Sequence, residues 1–428
     1  VEAIVYPAVQ ETVYYEKLPN GLEVYVLPKE GFQKTYATFS TKYGSVDNHF
    51  AIGDGEFTKV PDGIAHFLEH KMFEEPEGDI FATFASQGAS ANAFTSFDRT
   101  VYLFSATQQI EDNLNTLLDF VQHPYFTDEN VEKEKGIIEQ EINMYRDNPD
   151  WRVYFGLIDA MYHNHPVHID IAGTAESIGK ITKETLYRCY ETFYHPSNMI
   201  LFVVGGVEAE KVMQLIRDNQ AKKTFAEQGE IKRRFDEEPV SVKQANAAIS
   251  LPVSLPKCLF GFKEKELPNT AEELVRKDIT TKLMLESIMG SSSSLYQELY
   301  DDNLISDSFG SEYNASLDYC FSVMGGDTRD PDELLKRIRD AVDSLKEKGI
   351  EQEAFERTKR KRVGGYLRML NSPEAIANEF TRYRFRDADL FELLRVYESI
   401  GIEEVNSRLK EHFDWAQMAV SIVRKEQA

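Results

Sequence analysis

Alternation of apolar and polar positions opens the chain's readable structure. Behind the turn signal Pro19-Asn20-Gly21, the run Leu22 to Leu27 alternates as a strand does, and Thr35 to Thr41 predicts a second. The period then changes. After Pro61-Asp62-Gly63, apolar residues at Ile64, Phe67, Leu68 and Met72 fall on one side of a helix to Phe73, with Asp62 placed to cap it. A short helix over 79–86 stops at Gly88, and the small-residue run Ala89 to Thr95 and the fuller run Thr100 to Ser105 predict strands. Helical spacing returns at 110–121 and, past Phe126-Thr127-Asp128, continues to about Tyr145, where Asn148-Pro149 ends or redirects it. A buried strand over 198–204 and a helix over 208–218 complete this half.

Between about Asn219 and Gln244 the chain turns polar and mixed in charge, which marks a boundary. Beyond it the rhythm repeats. Strands are expected at 247–253 and 319–325, helices at 273–289 and 295–304, and mostly helix from Pro331 onward. The expectation is an α+β protein of two similar units, each a mostly antiparallel sheet with helices against it. The units would be residues 1–225 and 245–428, joined by a 226–244 linker.

Charge narrows the function classes. Against 48 Lys and Arg stand 72 Asp and Glu, a net −24, so neither a phosphate-binding surface nor a nucleic-acid partner is expected. Cationic peptides would be attracted, although such a charge is commonly no more than a solubilising surface. Cys189, Cys258 and Cys320 are far apart and read as thiols of a reducing compartment. No apolar run approaches the roughly 18 residues of a membrane span, and Val1-Glu2-Ala3-Ile4 shows no secretion signal. A cytoplasmic enzyme is expected.

The chemistry is carried by His66-Phe67-Leu68-Glu69-His70. Two imidazoles four apart, with a carboxylate between them, share one helix face, so both rings can reach one ion while Glu69 stands beside it as a base. Zinc catalysis commonly uses a third protein ligand and an open position for water. The acidic helix Glu132 to Glu141 offers Glu134 and Glu141, two turns apart, above an apolar face of Ile137, Ile138 and Ile142. Spacing leaves the choice between these two carboxylates open. The stretch Gly88 to Ala93 is small enough for a second backbone to pair along its edge, as extended peptides do.

These segments together resemble the pitrilysin and insulin-degrading-enzyme family of inverted-motif zinc peptidases, most closely its mitochondrial-processing-peptidase-type two-domain subunits. The likeness rests on Leu18 to Leu22, Gly63 to His70, Asn92 to Thr95, Glu134 to Glu141, Tyr162 to Pro166, Gly173-Thr174 and Tyr194 to Met199. By that resemblance His66, His70 and Glu141 hold Zn2+ and Glu69 is the general base. Glu134 supports the site, and Asn92 and Ala93 contact the peptide substrate.

One departure stands out. The family places an arginine, and a tyrosine seven residues later, in the second half. Here Tyr300 and Asp307 occupy those positions. Asp307 cannot donate to an oxyanion. The resemblance therefore implies the zinc-bearing half of a heterodimer, whose paralogous partner supplies the pair, or otherwise a homodimer. A different class of reading is a peptide-binding or scaffolding subunit with an idle site. His163, His165 and His168 suggest a second metal, but their spacing around Pro166 is loop-like and points to structural duty. Ser291 to Ser294 lacks the Gly-rich, Lys-Ser/Thr context of a phosphate loop and reads as a helix cap before Leu295. Lys359 to Arg362 reads as a solvated helix face.

Overall fold

The alternating runs become strands in a computed structural model that describes residues 1–427. In chain order these are β1 (Glu2–Tyr6), β2 (Glu11–Lys17), β3 (Glu23–Pro28), β4 (Thr35–Thr41), β5 (His49–Ile52), β6 (Thr58–Lys59), β7 (Glu74–Glu75), β8 (Gly78–Asp79), β9 (Ser90–Thr95), β10 (Thr100–Ala106), β11 (Met199–Gly205) and β12 (Ile231–Arg233). Seven of them make the main sheet, ordered β1-β2-β3-β11-β4-β10-β9, while β12-β5-β6 and β7-β8 form small ribbons. Only the β3–β11 pair in the main sheet is parallel. Strands β4 and β11 are buried throughout, which requires cover on both faces. Val24, Val26, Phe39, Tyr102 and Leu201 join one hydrophobic core with the helices α1 (Ile64–Met72), α2 (Ile80–Ser86), α3 (Ile110–Val121) and α4 (Asp128–Arg146). The alternate residues Tyr25 and Phe202 meet Phe380 of the helix Pro373–Arg384, with ring centroids 4.8 Å apart in each case.

A second sheet uses β13 (Asn246–Leu251), β14 (Lys257–Phe262), β15 (Gly310–Ala315), β16 (Cys320–Asp327) and β17 (Met418–Lys425), in the order β13-β17-β14-β16-β15. Its only parallel pair is β13–β17. The order first, last, second, fourth, third is the one that β3-β11-β4-β10-β9 follows. Two α+β units of one topology are therefore built from two halves whose sequences show little self-similarity.

The compact units differ from the linear division 1–225, 226–244 and 245–428. One comprises Val1–Ile142, Ile169–Phe235 and Leu367–Phe391; the other takes Asn143–His168, Asp236–Tyr366 and Glu392 onward. Each half of the chain lends a helix to the other's sheet. Pro373–Arg384 packs on β4 and β11, and α5 (Pro149–Met161) packs on β14 and β17.

Two local expectations need correction. Asp62 does not cap α1. Its carboxylate accepts from Asn48 Nδ2 at 2.9 Å, and the capping position is Gly63 in the left-handed region, φ +87°. Ile137 is not part of the buried face of α4: it is 45 % exposed, whereas Ile138 is fully buried and Ile142 packs partly on the core. The last segment is mostly helix, as expected, and ends in β17, which closes the second sheet beside β13. Ser293 does cap the helix Ser294–Asp301, its Oγ accepting from Tyr296 N at 3.2 Å.

Candidate metal centre

Helix α1 is fixed by Ile64, Phe67, Leu68 and Met72, none more than 1 % exposed, which leaves the face carrying His66, Glu69 and His70 turned toward α4 and β9. Its start depends on Gly63, where an added Cβ would lie 2.4 Å from the Ala172 carbonyl oxygen. Helix α4 is held by Val131 and Ile138, and brings Glu134 and Glu141 to the same face.

The imidazoles of His66 and His70 lie 4.5 Å apart between ring centroids. Glu141 reaches both: Oε1 is 3.5 Å from His66 Nε2 and Oε2 is 3.4 Å from His70 Nε2. Two nitrogens and a carboxylate, all within 4.8 Å of one another, form the one group of His, Cys, Asp and Glu among the described residues that could hold a metal ion. The separations suit a small cation. Ligands about 2.0–2.2 Å from a tetrahedral ion stand about 3.3–3.6 Å from one another, and the two Glu141–imidazole distances, 3.5 and 3.4 Å, fall in that range.

Electrostatics act on the two imidazoles in opposite directions. Burial, with His70 beside it, pushes the His66 imidazole down to about 4, so it stays neutral. Burial alone would also lower His70, but the hydrogen bond to Glu134 and the nearby Glu69 and Glu141 raise it. His70 Nδ1 donates to Glu134 Oε1 at 3.1 Å. Burial disfavours the Glu134 carboxylate, yet His70 and Lys71 outweigh it and lower its pKa. Spacing could not separate Glu134 from Glu141; the structure sets Glu141 against both Nε2 atoms and Glu134 behind His70.

Glu69 is 8 % exposed, and burial raises its pKa against the pull of His70 and of Thr95 Oγ1, which donates to Oε2 at 2.9 Å. A raised carboxyl pKa eases proton exchange near neutrality. Asn92 and Ala93 lie on β9, the end strand of the main sheet, paired to Leu103 and Tyr102 of β10 along one edge only. Beside them opens a cleft of about 670 Å³ reaching Glu69 and His70. Phe73 and Phe81, stacked with centroids 4.4 Å apart, and the exposed Ile137 give it an apolar wall. Thr95, Lys71 and these wall residues escaped the sequence reading. Lys71 had a signal, because it continues the apolar stripe 64, 67, 68 of α1.

Other groupings do not converge in this way. His168 Nδ1 bonds Asp159 at 2.8 Å, His165 Nδ1 accepts from Val167 N at 3.1 Å, and the backbone N–H groups of residues 163–165 donate to Glu238. In the second unit Ser322, His412 and Glu264 are linked in series at 2.7 Å each, but Ser322 is fully buried and His412 nearly so, out of reach of any substrate. Tyr300 is 45 % exposed and Asp307 is exposed.

Comparison with known proteins agrees with the geometry. Residues 51–175 match the model described as insulinase (peptidase family M16), and residues 180–362 match the peptidase M16 inactive domain. The uncharacterized zinc protease YmfH of Bacillus subtilis is 52 % identical over 96 % of both chains. The chain belongs to peptidase family M16. Among solved structures, the M16-like peptidase of Alicyclobacillus acidocaldarius superimposes with a TM-score of 0.94 at 43 % identity, covering 97 % of this chain and 99 % of that one. A Helicobacter pylori protease shares the fold at a TM-score of 0.83 and 21 % identity, covering 97 % and 99 %. In this M16 chain no helix among the described residues is long and apolar enough to cross a membrane.

Proposed function

We propose that this chain is a zinc-dependent endopeptidase acting on short or unfolded peptides. His66, His70 and Glu141 would hold the metal; the donor set, two imidazoles and one carboxylate converging within 4.8 Å, fits zinc. That convergence of three side chains is the observation carrying the proposal, and the zinc-protease names of the relatives agree with it. Zinc, when bound, supplies a Lewis acid that polarises a peptide carbonyl and acidifies water.

The chain's own residues do the rest. Extended peptide pairs with the outer edge of β9 through main-chain hydrogen bonds at Asn92 and Ala93, which orders its backbone with little demand on sequence. Glu69, tethered through Oε2 by Thr95, takes the proton of the attacking water on its other oxygen and returns it to the departing amine. Glu134 holds His70 in orientation.

The oxyanion needs donors that Tyr300 and Asp307 do not fully replace, since neither brings a positive charge. A paralogous partner chain supplying an arginine and a tyrosine completes the site in this reading; failing that, the chain works as a homodimer. Three buried free thiols support a reducing, cytoplasmic setting.

The test compares wild type with Glu69→Gln on a peptide library, with and without chains copurified from the native cell. The enzyme reading expects cleavage that falls about 10²–10⁴-fold in the variant while zinc content is kept. Equal, zinc-loaded inactivity of both proteins under every condition would favour a scaffolding subunit that binds peptide without cutting it.

A further inference from the structure

The two histidines are oriented by different means. His66 is 8 % exposed and held by packing, its Nδ1 buried without a hydrogen-bond partner. The His70 side chain is 27 % exposed, so packing alone leaves its ring able to turn. Its fixed contact is Nδ1–H to Glu134 Oε1 at 3.1 Å. That contact orients His70 only as well as Glu134 is itself held.

What holds Glu134 is Lys71. The ammonium of Lys71 is fully buried, a placement almost never seen without a charged partner, and it donates to Glu134 Oε2 at 3.2 Å and to Glu74 at the helix end. Both oxygens of Glu134 are thereby engaged, one by the imidazole and one by the ammonium. A linear chain results: Glu74, Lys71, Glu134, His70, Glu141. Lys71 also brings a positive charge to Glu134 in a group of acids where Glu69 and Glu141 lie close by.

We propose that Lys71 is a positioning residue for the metal. By fixing Glu134 it fixes the rotation of His70, keeps the ring proton on Nδ1 and leaves Nε2 turned to Glu141. It also restrains Glu134, which, released, would be a competing carboxylate ligand beside the ion. The purpose rests on the zinc reading above, whereas the orientation of His70 does not depend on it.

A double-mutant cycle on the full chain tests this. Metal-stripped wild type, Lys71→Met, Glu134→Gln and the double variant are titrated with zinc against a chromogenic chelator. Each single variant is expected to bind about 10–100-fold more weakly. The double variant should match Glu134→Gln within about twofold, because Lys71 acts through Glu134. Wild-type affinity in Lys71→Met, or a further tenfold loss in the double variant relative to Glu134→Gln, would overturn the proposal. If Lys71→Met fails to fold for want of a partner to the buried carboxylate, Lys71→Gln, which keeps a donor but not the charge, takes its place under the same two outcomes.

A second readout needs no metal. Imidazole ¹⁵N spectra, taken where histidine is neutral, should show His70 protonated on Nδ1 in wild type and mixed between the two nitrogens in Lys71→Met. An unchanged ring in Lys71→Met rejects the proposal. A wild-type chain that takes no zinc yet shows this change would defeat the zinc reading and leave the role of Lys71 standing.

Discussion

Thr95 Oγ1 donates to Glu69 Oε2 at 2.9 Å, so the end strand of the main sheet holds the carboxylate beside the histidines. In the proposed function, peptide-binding edge and base are thus joined by one side-chain bond between β9 and α1. A shift of the strand moves the base with it, which keeps the two in register.

Replacing Thr95 by valine keeps the shape and removes the hydroxyl. The bond to an ionised partner is worth about 1.5–3 kcal/mol, so kcat should fall at least about tenfold, with KM changed little and zinc content unchanged. Steady-state kinetics with metal analysis checks this. Wild-type kcat would show that Glu69 is held by something else.

Gly63 sets the entry to α1. Its φ of +87° and the 2.4 Å approach of a built Cβ to Ala172 O leave no room for a side chain. Gly63→Ala should cost at least about 2 kcal/mol, from left-handed strain of about 1–2 kcal/mol plus the clash. It should also weaken zinc binding, because the turn carrying His66 is displaced. Urea denaturation reads the first effect, and an unmoved midpoint would contradict it.

Much of the site was legible in the sequence because it is local. The histidines and Glu69 share one helical turn, and Glu134 and Glu141 one face of α4, so helix periodicity alone places them. Spacing left Glu134 and Glu141 open and the family resemblance named Glu141; tertiary placement is what sets Glu141 against both Nε2 atoms. Lys71 was passed over because a lysine at a helix end ordinarily reads as solvated, and its partner Glu134 lies 63 residues away. In the fold, β17 was lost among helices because its parallel mate β13 is far back in the chain, and no local signal announces that pairing. The lending of Pro373–Arg384 to the first sheet has the same cause: its aromatic contacts with Tyr25 and Phe202 are set entirely by tertiary packing.

Glu238 predicts a pH dependence of stability. Burial opposes its ionisation, but Lys263 Nζ at 2.6 Å and the backbone N–H groups of His163, Asn164 and His165 outweigh it and bring its pKa down to about 2. A depressed carboxylate stabilises the fold above its unfolded value, about 4.3, and that contribution is lost as pH falls from there through about 2. Glu238→Gln should therefore cost about 1–2 kcal/mol at pH 7, after allowance for solvent screening. The gap to wild type should narrow below about pH 4. Denaturant melts at several pH values check this, and a constant gap would contradict it.

The convergence of two imidazoles on α1 with a carboxylate on α4 is tested most directly by anomalous X-ray diffraction at the zinc edge on crystals of the purified chain, with zinc counted per chain. The account predicts one zinc per chain, about 2.0–2.2 Å from His66 Nε2, His70 Nε2 and a Glu141 oxygen, and loss of that zinc in His66→Ala and in Glu141→Ala. A zinc-saturated, folded protein with its metal elsewhere, or with Glu141 turned away from the ion, would contradict it.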